Sequence, residues 1–351
     1  MPARPRRRWP RLALAAATTA VTLAAAEFGA RWFVEGSCRE AVESIVGWRG
    51  VEGRAAGSRQ GMVADDELGF RLSPDWPGVN ALGIRHGELA MPKPAGTWRA
   101  LLVGDSVGFP LDGFFADVRA ALTQRSRRPL EFVNACVHGY TTWQERRFLE
   151  RDLAPLQSDL VVLQYCVNDN WRFLHRLTSS GRRLLTAEAR NHLFPDGDGA
   201  WPWLTRSSYL VYLVRRALLG RAAATQRAWQ GTSRTAWDDA SWPEQEANVR
   251  AMADCVRAGG GAFVVVAVPH EDQLDAAALA KDAAFVIKPQ RALAAICTRC
   301  DVPFLDLHGP LLAQREAGLF TDGTHLSPAG HRLAGRELAR FLIERGFAPP
   351  E

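Results

Sequence analysis

Two short stretches carry side chains that could act together. Leu101-Leu-Val-Gly-Asp-Ser-Val-Gly-Phe-Pro110 places a serine in a Gly-rich turn directly after an apolar run. Far downstream, Asp322-Gly-Thr-His325 sets a carboxylate three residues before a histidine. A serine becomes a nucleophile when a base takes its proton, a carboxylate orients that base, and donors hold the oxyanion that develops. Ser106, His325 and Asp322 can fill the first three roles, with Asp322 accepting from one ring nitrogen while the other faces Ser106. The backbone N–H groups of Ser106 and Gly139 and the side-chain amide of Asn168 are the candidate oxyanion donors. Glycine at 139 lets the backbone approach a substrate with no Cβ in the way. The chemistry implied is acyl transfer through a covalent acyl-enzyme.

Such residues need a scaffold that brings distant segments to one edge. Apolar, β-rich runs at Ala100 to Val103, Phe132 to Val133, Leu160 to Tyr165, Phe263 to Val268 and Phe304 to Leu307 alternate with helical stretches. Strands separated by helices predict βαβ units: an α/β fold, a three-layer sandwich around a central, mostly parallel five-stranded sheet. Ligands in such folds sit beyond the carboxyl ends of the strands. The candidate residues follow strands in that way: Gly104-Asp105-Ser106, Asn134-Ala-Cys-Val-His-Gly139, Cys166-Val-Asn168-Asp169, and Asp322 to His325 before the final helix. Helices are predicted over Thr141 to Leu156, over Pro243 to Arg257, and after Ser327, which caps a helix with Pro328 in its first turn and Gly346 beyond its end. Between Trp171 and Trp242 lies an Arg-rich excursion with Trp201, Trp203, Trp229 and Trp237, too long for an ordinary connection. Insertions of this kind after a strand often cover a site. Its tryptophans read as core or cover in preference to a carbohydrate platform.

This ordered set resembles the SGNH (GDSL-type) hydrolase family, of the membrane-anchored bacterial type. Its blocks are GDS at Gly104 to Ser106, the N-A-x-x-x-G block ending at Gly139, Asn168-Asp169, and D-G-x-H at Asp322 to His325, within about residues 65 to 345. The resemblance implies a flavodoxin-like sheet, Ser106 as nucleophile, Asp322 and His325 as its triad partners, and Ser106, Gly139 and Asn168 as the oxyanion hole. Gly104, Ser106 and Gly108 also match the G-x-S-x-G elbow of α/β-hydrolases, but that fold separates its acid and histidine by far more than three residues. Cys166 stands where the family more often has glycine, and Cys136 also flanks the expected oxyanion hole. Both read as small-residue substitutions in preference to a disulfide. Asp105 and Asp169 read as scaffold acceptors that fix their loops.

The formal charge of +5 does not point to nucleic acid, because Arg4, Arg6, Arg7, Arg8 and Arg11 supply five positives and the remainder balances. The run from Leu12 to Ala26 carries no charge and reaches about 20 residues when counted through Phe33, the length of a membrane span. A basic stretch ahead of an apolar one is a secretion signal. Two readings stay open: an uncleaved anchor with Trp32-Phe33 at the interface, or a peptide cleaved near Ala24-Ala-Ala26. Either sends the rest of the chain outside the cytoplasm. The expected organisation is a basic cytoplasmic tail (1–11), a signal anchor or signal peptide (12–34), a stalk and wrapping segment (35–97), and a hydrolase domain (98–347) with an insertion at about 171–242. The six cysteines, Cys38, Cys136, Cys166, Cys255, Cys297 and Cys300, would then meet an oxidising compartment. Cys297 and Cys300 read as core residues in preference to a redox pair. His138, His270 and His308 fall near strand ends without the carboxylate spacing of a metal site. His270 with Glu271 and Asp272 is also a candidate substrate contact.

The function expected is therefore an extracytoplasmic serine esterase with no cofactor and no metal, acting on an acylated small molecule or carbohydrate and held at the inner membrane or secreted. An envelope polysaccharide O-acyltransferase with the same triad, and a non-catalytic glycan-binding module, are the alternatives.

Overall fold

The computed structural model of the protein describes residues 9–46, 61–65, 67–170, 208–211, 213–214, 227–230 and 232–350. Arg4, Arg6, Arg7 and Arg8, the side chain of Cys38, and Trp171, Trp201, Trp203 and most of the insertion lie outside the described residues.

The Ala-rich N-terminus forms one long helix, α1 (Trp9–Val46), which runs past the expected span into the segment read as a stalk. Ala and Leu favour helix, and Thr18 and Thr22 turn their hydroxyls back onto the carbonyls of Leu14 and Thr18 at 2.9 Å each. The 22 residues Leu12–Phe33 are long and apolar enough to cross a membrane.

The wrapping segment then forms an antiparallel hairpin, β1 (Met62–Asp65) and β2 (Gly69–Leu72). Asp65 closes its turn by accepting from the N–H groups of Glu67 and Leu68. Leu68, Phe70 and Leu72 are fully buried, and Gln144 and Tyr140 donate to the carbonyls of Leu68 and Phe70. Strands of four residues are too short to show a period-2 pattern, so sequence periodicity missed this hairpin.

The central sheet alternates with helices: β3 (Trp98–Val103), α2 (Phe114–Thr123), β4 (Leu130–Asn134), α3 (Thr142–Phe148) and β5 (Leu160–Tyr165), then, after the insertion, α4 (Trp242–Ala258), β6 (Ala262–Ala267), α5 (Ala276–Val286), α6 (Lys288–Arg299), β7 (Phe304–Asp306), α7 (His308–Ala313) and α8 (Pro328–Glu344). The strand order is β4-β3-β5-β6-β7, and every neighbouring pair is parallel. A parallel sheet covered on both faces favours strands that are apolar almost throughout. Every residue of β3 and β5 is accordingly buried. Helices α2 and α8 pack together on one face, and α3, α4 and α6 form the layer on the other. Strand order reverses beside β3, so the loops after β3 and β5 flank the crevice where such sheets hold ligands.

The helix expected from Thr141 to Leu156 is regular only to Phe148. It widens into a π turn over Leu149–Leu153 and tightens into a 3-10 turn over Ala154–Leu156. Pro155 has no N–H to continue the ladder, so the bonds must shift before it. Helix α8 is capped as expected: the Ser327 hydroxyl accepts from the Gly330 N–H, and Gly346 has φ 75°.

Candidate active site

At the end of β3 the chain turns sharply around two buried acceptors. Asp105 Oδ1 accepts from the Val107 N–H at 2.9 Å, which bends the loop so that Ser106 projects from it. Gln164, in β5, accepts from the N–H groups of Asp105 (3.3 Å) and Gly108 (2.9 Å) through one carbonyl oxygen. A Cβ on Gly104 would stand 2.6 Å from that oxygen, and one on Gly108 would stand 2.6 Å from Cys136 Sγ. Both glycines are thus packing requirements of the serine loop, and the accidental elbow match has a physical cause.

The 320–326 loop approaches from the other side. Phe320 and Leu326 form an isolated antiparallel bridge, Thr321 N–H donates to the His325 carbonyl, and Gly323 takes the left-handed conformation with φ 67°. Within it Asp322 Oδ1 accepts from the backbone N–H of His325 at 2.9 Å, and both carboxylate oxygens meet His325 Nδ1, at 2.9 and 2.8 Å. His325 Nε2 lies 2.9 Å from Ser106 Oγ. Partial burial opposes ionisation of Asp322, but the backbone N–H and ring of His325 outweigh it and hold the carboxyl below the usual aspartate range. An ionised Asp322 fixes the proton on Nδ1 and leaves Nε2 to accept from the serine hydroxyl. The pair stands largely in solvent, with side chains 40% (His325) and 60% (Asp322) exposed.

Among the expected oxyanion donors, Gly139 has φ 76°, and among the described residues neither its N–H nor that of Ser106 is engaged in a hydrogen bond. The loop leading to Gly139 is tied down by Asn134, which donates to the Gly108 carbonyl at 2.7 Å and accepts from the Cys136 N–H at 3.0 Å. Asn168, on a short turn (Val167–Asn170), donates from Nδ2 to Asp105 Oδ2 at 2.7 Å. One amide proton is thereby committed to the fully buried Asp105, and the second is available to a ligand. Asp169 Oδ2 accepts from the Cys166 N–H at 2.8 Å.

Beneath these loops lies a group of buried acids. Asp105, Glu145 and Asp169 are nearly inaccessible, and both Glu145 oxygens and Asp169 Oδ1 lack hydrogen-bond partners among the described residues. Burial raises the Glu145 carboxyl well above its ordinary value, and the nearby Asp105 adds to the effect. Burial likewise raises Asp169, with Glu145 and Asp105 adding to it. Burial also pushes the Cys136 and Cys166 thiols up, which favours the neutral thiol over the nucleophilic thiolate. Both are unpaired, as are Cys255, Cys297 and Cys300.

The remaining candidates take other positions. His308 is bonded to the Gln273 carbonyl at 2.9 Å, and His138 packs its ring 3.9 Å from that of Phe109. His270 Nδ1 accepts from the Asp272 N–H, and its ring lies against Gly323, backing the acid loop. Burial lowers its pKa, opposed by Asp272 and Asp322. Trp229 and Trp237 pack edge to face, and Trp237 donates to the Phe285 carbonyl, so these two belong to a core. The residues that sequence reasoning missed are Gln164 and Glu145. Gln164 had a readable signal, a polar side chain inside an otherwise apolar strand; Glu145 had none, since a charged residue on a predicted helix ordinarily faces water.

Among solved structures, the chain is similar to TesA (17% identity, TM-score 0.42, covering 70% of this chain and 98% of that one). It is similar also to a catalytic mutant of Axe2, an acetylxylan esterase from Geobacillus stearothermophilus (16%, TM-score 0.44, 70% and 94%). A third is the lipase/acylhydrolase from Enterococcus faecalis (13%, TM-score 0.41, 72% and 98%). Comparison with curated proteins gives no match. The model of the GDSL-like lipase/acylhydrolase family matches residues 102–333, well over half of the chain and from the serine loop into α8, and the protein belongs to that family of ester-bond hydrolases.

Proposed function

We propose that the protein is an extracytoplasmic serine esterase in which Ser106, His325 and Asp322 form the triad and the N–H groups of Ser106 and Gly139 with the Asn168 amide form the oxyanion hole. The observation that carries this is the unbroken chain from Ser106 Oγ through both His325 nitrogens to Asp322. Ser106 Oγ attacks the ester carbonyl as its proton passes to His325 Nε2, while Asp322 stabilises the imidazolium. The carbonyl oxygen becomes an oxyanion held by the three donors. Collapse breaks the ester C–O bond, and Nε2 returns its proton to the departing alcohol. Water then repeats the sequence on the acyl-enzyme, giving the carboxylic acid and free Ser106. The exposure of His325 gives water a direct route to that intermediate.

Short acyl groups, O-acetyl above all, on small molecules or carbohydrate are the substrates proposed. The Leu12–Phe33 helix, behind a basic N-terminus, serves as the anchor that places the hydrolase domain outside the inner membrane. Hydrolysis of p-nitrophenyl acetate by wild type and Ser106→Ala tests the catalytic part. A loss of about 10⁴-fold or more is expected, together with fluorophosphonate labelling of wild type only. Undiminished turnover in the variant would overturn the assignment of Ser106.

A further inference from the structure

The apolar span contains two charged residues, Glu27 and Arg31. Glu27 sits six residues before Phe33, about 9 Å along the helix axis, which puts it within the outer part of a hydrocarbon core about 30 Å thick. A carboxylate at that depth is costly, and where one occurs it faces protein and has a specific partner. Here the partner is a piece of the insertion. Glu27 Oε2 accepts from the Ser208 hydroxyl at 2.6 Å and from the Leu210 N–H at 3.0 Å, and Oε1 accepts from the Tyr209 N–H at 2.7 Å. The Ser208 hydroxyl also accepts from the Val211 N–H at 3.2 Å.

The neighbouring positions agree. Ala30, one turn beyond Glu27, is buried, and the Arg31 guanidinium lies 5.8 Å from the centre of the buried Tyr209 ring. By contrast Val21, Phe28 and Trp32, on other sides of the helix, are 69%, 73% and 76% exposed. The covered stripe of the helix is therefore the one that meets residues 208–211, while the rest of its apolar surface is left for lipid. The docked residues, Tyr209, Leu210 and Val211, followed by Leu213 and the exposed Val214, suit the boundary between headgroups and hydrocarbon.

We propose that α1 is a retained structural part of the enzyme and that Glu27 docks Ser208–Val211 of the insertion onto it at the outer face of the membrane. Residues 208–211 are then held at the bilayer. Cleavage near Ala24-Ala-Ala26 would strip Glu27 of its helix, so docking requires retention. It rests on the membrane-spanning reading of α1 and is independent of the esterase reading.

The test uses the full chain in its own membranes. Carbonate extraction and the intact mass of the extracted chain are measured first. A chain that leaves the membrane refutes the anchor itself; a membrane-held chain that retains residues 12–33 is expected, and one beginning at or after Glu27 overturns the docking proposal. Trypsin cleavage after Arg206, Arg215 and Arg216 is then timed from the outer side. Glu27→Ala is expected to speed cleavage by about fivefold or more and Ser208→Ala by a smaller factor. Glu27→Gln keeps one acceptor oxygen and sets an amide N–H against the donors of the other, so its cleavage rate is expected between those of wild type and Glu27→Ala. Cleavage of Glu27→Ala at the wild-type rate would overturn docking even where the anchor is intact.

Discussion

Asp105 touches no reacting atom in the proposed mechanism, yet it should control the rate through Asn168. Its carboxylate accepts from Asn168 Nδ2 at 2.7 Å and from the Val107 N–H at 2.9 Å, with no solvent access to offer a substitute. Asp105→Asn keeps the shape but replaces one acceptor oxygen with a donor. That nitrogen must then face either the Asn168 amide or the Val107 N–H, donor against donor. A hydrogen bond to a charged group is worth about 1.5–3 kcal/mol. If the Asn168 bond is lost and its amide turns away from the developing oxyanion, kcat falls by about 10- to 150-fold with KM little changed. Asn168→Ala removes the donor outright and should cost about 10²- to 10³-fold. The decisive variant is the double one. If Asp105 acts through Asn168, adding Asp105→Asn to Asn168→Ala lowers kcat by less than about threefold further, because nothing remains to be positioned. The assay is steady-state hydrolysis of p-nitrophenyl acetate, with thermal midpoints to separate loss of fold from loss of rate. Full additivity, each variant costing its own factor in the double, would refute the positioning role.

Two further outcomes follow from the same geometry. Asp322→Asn should lower kcat by about 10⁴-fold by freeing the wrong imidazole tautomer, while chemical denaturation changes by less than about 0.5 kcal/mol, because the pair is largely exposed. For Glu145, burial raises the native carboxyl above the ordinary 4.5, so the folded chain keeps a proton that the unfolded chain has released. Its stabilising contribution is full below that value and is lost as pH rises towards the raised native one, by about 1.4 kcal/mol per pH unit for one proton. Glu145→Gln should therefore match wild type near pH 4 and exceed it in urea midpoint at pH 8; parallel pH curves would show that Glu145 does not titrate with folding.

The sheet was legible because its strands are buried on both faces: Leu160 to Tyr165 reads as a continuous apolar run, and the strand observed there has those same ends. Capping chemistry placed α8 equally well, since Ser327 at the N-cap, Pro328 in the first turn and Gly346 past the last turn are local signals of its two ends. The irregular path after Phe148 was not legible, because Pro155 sits where helical spacing of the apolar residues still holds while the backbone bonds cannot. The hairpin at 62–72 was missed because its stability comes from Tyr140 and Gln144, some 70 residues away, and no local pattern records a long-range partner. Ser106, Asp322 and His325 could be chosen from spacing and their order along the chain, yet their mutual distances depend on which strand lies beside which.

The two sides of the proposed site are built on opposite principles. The acid–base side stands in solvent and is held by its own loop: Asp322 bonds to residues two and three positions on, and Gly323 leans on His270. The oxyanion side is held from below by buried polar side chains: Gln164 in β5 accepts from the serine loop, Asn134 at the end of β4 accepts from the Cys136 N–H and donates to the Gly108 carbonyl, and Asp105 accepts from Asn168. A local loop can be altered at the expense of rate alone, because water replaces the bonds it loses. A buried acceptor has no such replacement, so removing it leaves N–H groups unsatisfied at about 1–3 kcal/mol each and disturbs fold and rate together. The same contrast explains why the serine loop requires glycine at 104 and 108, where side chains from β5 and the loop after β4 close on it, whereas the 320–326 loop asks for glycine only at the one position whose φ demands it.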